Sequence, residues 1–243
     1  MLKVLENAVP VACWSCSVAH NESTLFCPDC SKIQPPSSGD YFSVFGLTPR
    51  LNIDLPVLEQ EFHRLSRRLH PDRFARASEN EKEWSLADTA LLNDAYRTLK
   101  DPLRRTEYLL KLEGAELGAA TGASSDAALL QDKEKIQNQE KTSRVPADLL
   151  EEVFDLNMQL EEMRMARKMG QEDLELKESL LEAKEKFQGL VEAVDLDLRA
   201  QWAIWDGGDA AARGPAQQAM VALLDRRRYL SNLVRDVTEI LGD

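Results

Sequence analysis

Residues 63–78 read "HRLSRRLHPDRFARAS", and the fold turns on how this stretch is parsed. A basic run with helical spacing meets a His-Pro-Asp tripeptide. Proline lacks a backbone donor and biases the residue before it towards extended geometry, so a helix is expected to stop near Leu69. Upstream, Leu58, Phe62, Leu65 and Leu69 recur at steps of 4, 3 and 4, which places them on one helix face. Arg64, Arg67 and Arg68 fall on a different side. His70 and Asp72 thus flank a rigid proline just past a row of guanidinium groups. The plain reading is a helix-loop-helix turn in which Asp72 caps the next helix and His70 is incidental. The other is an exposed contact site.

The neighbouring segments are helical too. "YFSVFGL" (41–47) reads as a short apolar helix ending near Gly46. "EKEWSLADTALLNDAYRTL" reads as a third helix running to Asp101-Pro102, where the proline suits a new helix start. "LRRTEYLLKLEG" is a short fourth helix closed by Gly114. Residues 115–145 hold few large apolar side chains and read as a flexible linker. Beyond it, Pro146 sits where an N1 proline would. Three helical runs follow, the first ended by Gly170, the second stopped by Gly207-Gly208 and the third starting at Pro215. No run argues well for a strand. The expected fold class is all-α, with a helical hairpin at 37–114, a linker at 115–145 and a three-helix bundle at 146–243.

Composition narrows the function. Across 243 residues, 42 acidic and 30 basic side chains give a net charge of -12, which argues against broad nucleic-acid or anionic-membrane binding. No apolar run approaches a membrane span. The opening "MLKVLENAVP" is too short for a signal-peptide core and lacks the arginines of a transit peptide. A reducing, cytosol-like compartment is the expectation. No nucleophile–base pairing, phosphate-cradling glycine loop or helical His–Glu metal pair stands out, so the chain reads as a non-enzyme that binds no nucleotide itself.

All four cysteines lie within the first 30 residues, as Cys13-x2-Cys16 and Cys27-x2-Cys30. Four thiolates on two knuckles can close a tetrahedron around zinc, and such a closed site lends folding energy to a segment (1–36) too short to own a core. Paired disulfides would require a secreted protein. A thioredoxin-like redox site would need a βαβ context. His20 could compete as a ligand but reads as a loop residue.

The order "DYFSVFGL", basic second helix, "HPD", then "LNDAYRTLKDPLRRTEYL" resembles a J-domain from end to end. That resemblance implies that His70, Pro71 and Asp72 stimulate a DnaK-type chaperone ATPase and that Arg64, Arg67 and Arg68 form the docking face. The Phe-Gly-Leu, the longer lead-in to the second helix, "LHPDRF" and the helical C-terminal domain are similar to the HscB co-chaperone family of iron–sulfur cluster assembly. The Gly/Phe-rich segment and central zinc repeats of general J-proteins are missing. Some HscB members carry an N-terminal tetracysteine knuckle, as here. The resemblance implies an HscA-type ATPase and an IscU-like scaffold as partners, in a bacterial cytoplasm or, for a eukaryote, the mitochondrial matrix. The rivals are a general J-protein delivering unfolded clients and a zinc or redox-handling protein.

In the first helix of the bundle, Leu149, Val153, Leu156, Leu160 and Met163 form one core stripe at steps of 4, 3, 4 and 3. Leu150, Phe154, Met158 and Met165 cluster roughly 140° away at about 100° per residue, with Glu151, Asp155 and Glu162 along the margin. A second apolar stripe either packs on other helices or binds a protein. The family resemblance implies the latter, with Leu150, Glu151, Phe154, Asp155, Met158 and Glu162 as scaffold-binding residues. It adds Tyr229 on the last helix, for which a core role competes. Trp84, Trp202 and Trp205 read as packing anchors.

Overall fold

The computed structural model describes residues 11–20, 24–36, 39–117, 146–170 and 173–242. The expected linker therefore lies outside the described residues from position 118 to 145, as do the first ten residues of the knuckle segment. Two compact units are present. One comprises Met1–Gly114 with Trp202–Gly214, the other Ala115–Gln201 with Pro215–Asp243.

In the first unit, a two-residue ladder pairs β1 (Val11–Ala12) with β2 (Ala19–His20), and four helices follow: α1 (Tyr41–Val44), α2 (Leu55–Leu69), α3 (Glu79–Lys100) and α4 (Pro102–Leu112). Each helix starts on a side-chain cap, which satisfies amides that have no partner inside the first turn. Asp40 accepts from the N–H groups of Phe42 and Ser43, Asp54 from Val57, and Asp101 from Leu103 and Arg104. Ser78 and Glu81 form a reciprocal capping box at the start of α3. Pro102 occupies the first position of α4, where its missing N–H costs nothing. Gly114, at φ +76°, ends that helix in the left-handed conformation that glycine tolerates.

Helices α2 and α3 run antiparallel. The Leu69 carbonyl accepts from the Ser85 hydroxyl at 2.6 Å near the turn, and Phe62 stacks on Tyr96 at 4.1 Å further along. Between them lie Leu58, Leu65, Leu69, Leu92, Ala95 and Leu99, all buried. Phe62 is only half-buried, the outer member of the expected stripe. The loop before α2 is held by a residue far along the chain: the Asp206 carboxylate accepts the N–H groups of Leu51 and Asn52 at 2.9 and 2.7 Å.

The second unit carries most of α5 (Leu150–Lys168), α6 (Leu174–Gly207) and α7 (Ala210–Leu241). The anticipated core stripe of α5 is buried throughout, from Leu149 to Met163. Leu180, Phe187, Val194 and Leu198 of α6, and Met220, Leu224, Leu230, Leu233 and Val237 of α7, are buried too. Polar ties frame this core. Arg226 grips Asp148 through two bonds of 3.0 and 2.6 Å, and Arg227 grips Asp195 at 2.6 and 3.2 Å.

Three expectations need correction. The last helix begins at Ala210, not Pro215, because Asp209 accepts the N–H groups of Ala211 and Ala212 and starts the helix upstream of the proline. Pro146 is not at N1 of α5; it precedes a 3-10 turn, Ala147–Leu149, that leads into the helix. Short strands do occur, as the hairpin that carries the first cysteine pair.

Candidate functional site

The two cysteine knuckles are local copies of one device. Ser17 and Ser31 each follow a Cys-x2-Cys pair and adopt positive φ, 61° and 58°. Each donates its N–H to the carbonyl of the first cysteine of its pair, Cys13 or Cys27, at 2.9 Å. These turns lift the four thiols into one cluster. Cys13 Sγ lies 3.6 Å from Cys30 Sγ, and Cys16 Sγ lies 3.7 Å from Cys27 Sγ. A zinc–sulfur bond of about 2.3 Å in a tetrahedron sets sulfur–sulfur edges of about 3.8 Å, so the donor set fits such an ion. Burial raises the Cys13 thiol, but N–H groups of Cys16 and Ser15 outweigh it and bring the thiol down to about 6. All four cysteines are unbridged. His20, read as a loop residue that could compete as a ligand, ends β2 with Nε2 3.3 Å from both Cys27 Sγ and an Asp29 carboxylate oxygen.

Helix α2 ends where the proline dictates, at Leu69, and Pro71–Phe74 make a 3-10 turn. The Asp72 side chain is 90% exposed and that of His70 57%. His70 Nδ1 accepts the Asp72 N–H at 3.3 Å, so the histidine caps the turn. Asp72 does not cap α3; Ser78 does. None of Pro71–Phe74 is buried. Arg67 is exposed. Arg64 is exposed too and pairs with Glu61 at 2.7 Å.

Arg68 is placed differently. Its guanidinium lies 3.9 Å from the ring centroid of Phe26, the residue immediately before Cys27. Burial, then Arg64 and Arg73, push its pKa below the usual arginine value. On the far side of the turn, Lys32 Nζ meets Glu81 at 3.0 Å. That contact, followed by the Ser78 N–H, holds the Glu81 carboxyl below the ordinary range. Trp14 completes the seam with an edge-on contact to Trp84 at 5.7 Å and an indole bond of 2.7 Å to the Ile33 carbonyl. Sequence reading missed this seam. Its one available signal was an aromatic beside each cysteine pair, Trp14 and Phe26.

The second stripe of α5 stands in solvent: Leu150, Phe154, Met158 and Met165 are each about half or more exposed, Phe154 most at 64%. Glu151, Asp155 and Glu162 are exposed along it. Tyr229 is half-buried on α7, and burial raises its hydroxyl pKa. Trp202 and Trp205 are buried and serve as anchors, whereas Trp84 is half-buried at the seam. Among the described residues, no helix is long and apolar enough to cross a membrane.

A helical hairpin that presents an outward His-Pro-Asp turn, on a chain with a separate helical unit, has the form of a J-domain co-chaperone. Over 128 residues the chain is 36% identical to the iron–sulfur cluster co-chaperone protein HscB of Mus musculus, covering 51% of this chain and 55% of the mouse protein. Over 119 residues it is 37% identical to the co-chaperone protein HscB homolog of Shewanella denitrificans, covering 48% of this chain and 68% of that protein. The crystal structure of human co-chaperone protein HscB matches with a TM-score of 0.59 at 25% identity, covering 94% of this chain and 98% of the human one. No family model matches. The chain belongs to the HscB co-chaperone family. It matches about half the length of its curated mammalian relatives, 55% of the mouse protein and 52% of the human one.

Proposed function

We propose that this co-chaperone binds an IscU-like iron–sulfur scaffold through α5 and stimulates the ATPase of a DnaK/HscA-type chaperone through α2 and the His-Pro-Asp turn. The observation that carries the reading is the Asp72 carboxylate, 90% exposed on a proline-stiffened turn that follows the exposed Arg67 of α2. A preorganised carboxylate accepts charge-assisted hydrogen bonds at little entropic cost, and the basic helix steers towards an acidic partner. Leu150, Phe154 and Met158, with Glu151, Asp155, Glu162 and Tyr229, offer the scaffold an adaptable apolar strip with an acidic margin. Joining both sites on one chain raises the effective concentration of scaffold near the chaperone and favours cluster transfer.

The chain performs no covalent step in this scheme and holds no nucleotide. Zinc at Cys13, Cys16, Cys27 and Cys30 would be structural, because four protein ligands leave no open coordination position. The setting is the bacterial cytoplasm, or the mitochondrial matrix in a eukaryote.

The test measures ATPase stimulation with and without scaffold, together with calorimetric scaffold binding. Asp72→Asn is expected to abolish stimulation while scaffold affinity holds. Phe154→Ala is expected to weaken scaffold affinity by about 5- to 30-fold, from the loss of roughly 1–2 kcal/mol of apolar burial, while leaving scaffold-free stimulation intact. Wild-type stimulation by Asp72→Asn would remove the trigger role, and unchanged affinity in Phe154→Ala would remove the scaffold role. Capture of unrelated unfolded peptides by the C-terminal helices would favour a general J-protein instead.

A further inference from the structure

The His-Pro-Asp turn buries none of its own residues between Pro71 and Phe74, so no core of its own fixes its pose. Its start is tied to α3 by the Ser85 hydroxyl bond to the Leu69 carbonyl, and two knuckle contacts bracket it. On one side Arg68, two residues before His70, lies under the Phe26 ring. On the other, Glu81 closes the capping box that starts α3 and is tied to Lys32. Phe26 and Lys32 both belong to the second cysteine knuckle. There, a Phe26–Ile33 bridge, a Cys27 N–H bond to the Lys32 carbonyl at 2.8 Å and a Gln34 N–H bond to the Leu25 carbonyl at 3.0 Å hold them in a fixed frame. Cys27 and Cys30 lie inside that frame, and their thiols meet those of Cys16 and Cys13. Arg68 would otherwise be crowded by Arg64 and Arg73. An aromatic face attracts a guanidinium without cancelling its charge, so Phe26 orients Arg68 and leaves its cation available.

We infer that the second cysteine knuckle is a positioning element for the proposed chaperone-docking face, with Phe26 and Lys32 bracketing the His-Pro-Asp turn. This rests on the chaperone reading above. Phe26 is a positioning residue that acts through Arg68. Lys32 acts through Glu81 on the opposite end of the turn. Loss of the metal loosens the frame and, with it, both ends of the turn.

The test titrates full-length protein against a DnaK-type ATPase and measures hydrogen exchange at the amides of residues 70–77. Phe26→Ala is expected to raise the half-maximal concentration about fivefold with an unchanged plateau, and to speed exchange in the turn about tenfold while α5–α7 amides are unaffected. Phe26→Tyr restores both values. The double variant with Arg68→Ala is no weaker than Arg68→Ala alone, and chelation of the metal from wild type reproduces the faster exchange. Wild-type titration and exchange in Phe26→Ala would overturn the inference. Additive losses in the double variant would overturn its route through Arg68. If Phe26→Ala does not fold, Lys32→Met carries the test with the same opposed outcomes. Should wild type give no stimulation, the functional reading fails, while the exchange data still decide the positioning role.

Discussion

Helices α2 and α5 each commit one stripe at steps of three and four to their own core: Leu58, Leu65 and Leu69 in α2, and Val153, Leu156, Leu160 and Met163 in α5. Their remaining faces differ in kind. Helix α2 turns guanidinium groups outward and runs into a capped, proline-stiffened turn, whereas α5 shows Leu150, Phe154, Met158 and Met165 with carboxylates beside them. A charged face acts at long range, depends on salt and sets encounter rates. An apolar face acts only on contact, through area removed from water. The difference teaches that the core code is shared, and that the two helices diverge in chemistry on the faces the core does not use.

The largest effect should separate the two stripes of α5. Leu156→Ala removes a buried side chain and is expected to destabilise the protein by about 2–5 kcal/mol in urea unfolding, while Phe154→Ala changes stability by less than about 0.5 kcal/mol. Equal losses would mean that α5 has only one functional kind of stripe.

A smaller effect tests the hairpin side. Asp88 is fully buried on α3, neither carboxylate oxygen has a hydrogen-bond partner, and burial raises its pKa to about 7. The folded-state value stands above the ordinary 3.8, so the folded protein holds this proton more tightly than the unfolded chain does. The resulting stability is complete below 3.8 and is lost as pH rises through about 7. Asp88→Asn is expected to raise Tm by several degrees at pH 8, and the gain should shrink towards zero near pH 4. A constant gain across that range would assign the effect to something other than ionisation.

The smallest expected effect is ionic. Raising salt from about 50 to 300 mM should weaken the α2-mediated association several-fold and change the α5-mediated one by less than about twofold. Equal sensitivity would erase the distinction between the two faces.

What could be read from the sequence was what depends on local pattern. Pro102, Gly114 and the two stripes of α5 follow from spacing and turn chemistry within one or two helical turns, whereas the one cap expected, Asp72, gives way to Ser78 six residues on. The early start of α7 was missed because Pro215 is a strong helix-start signal, and it masked a cap at Asp209 placed six residues earlier. The seam from Phe26 to Arg68 and from Lys32 to Glu81 joins residues more than 40 positions apart, where no periodicity points from one to the other. His20, which could compete as a ligand on the sequence reading, does lie beside Cys27, at 3.3 Å.

The bond from Asp206 to the Leu51 and Asn52 amides reaches across some 155 positions. A ribosome delivers the chain in order, so the loop that leads into α2 cannot acquire this clasp until most of α6 has emerged. The half-made chain therefore carries an α2 whose lead-in loop is not yet tied down. The clasp forms only after every residue of α5 has been made, so the outward apolar strip precedes the finished hairpin.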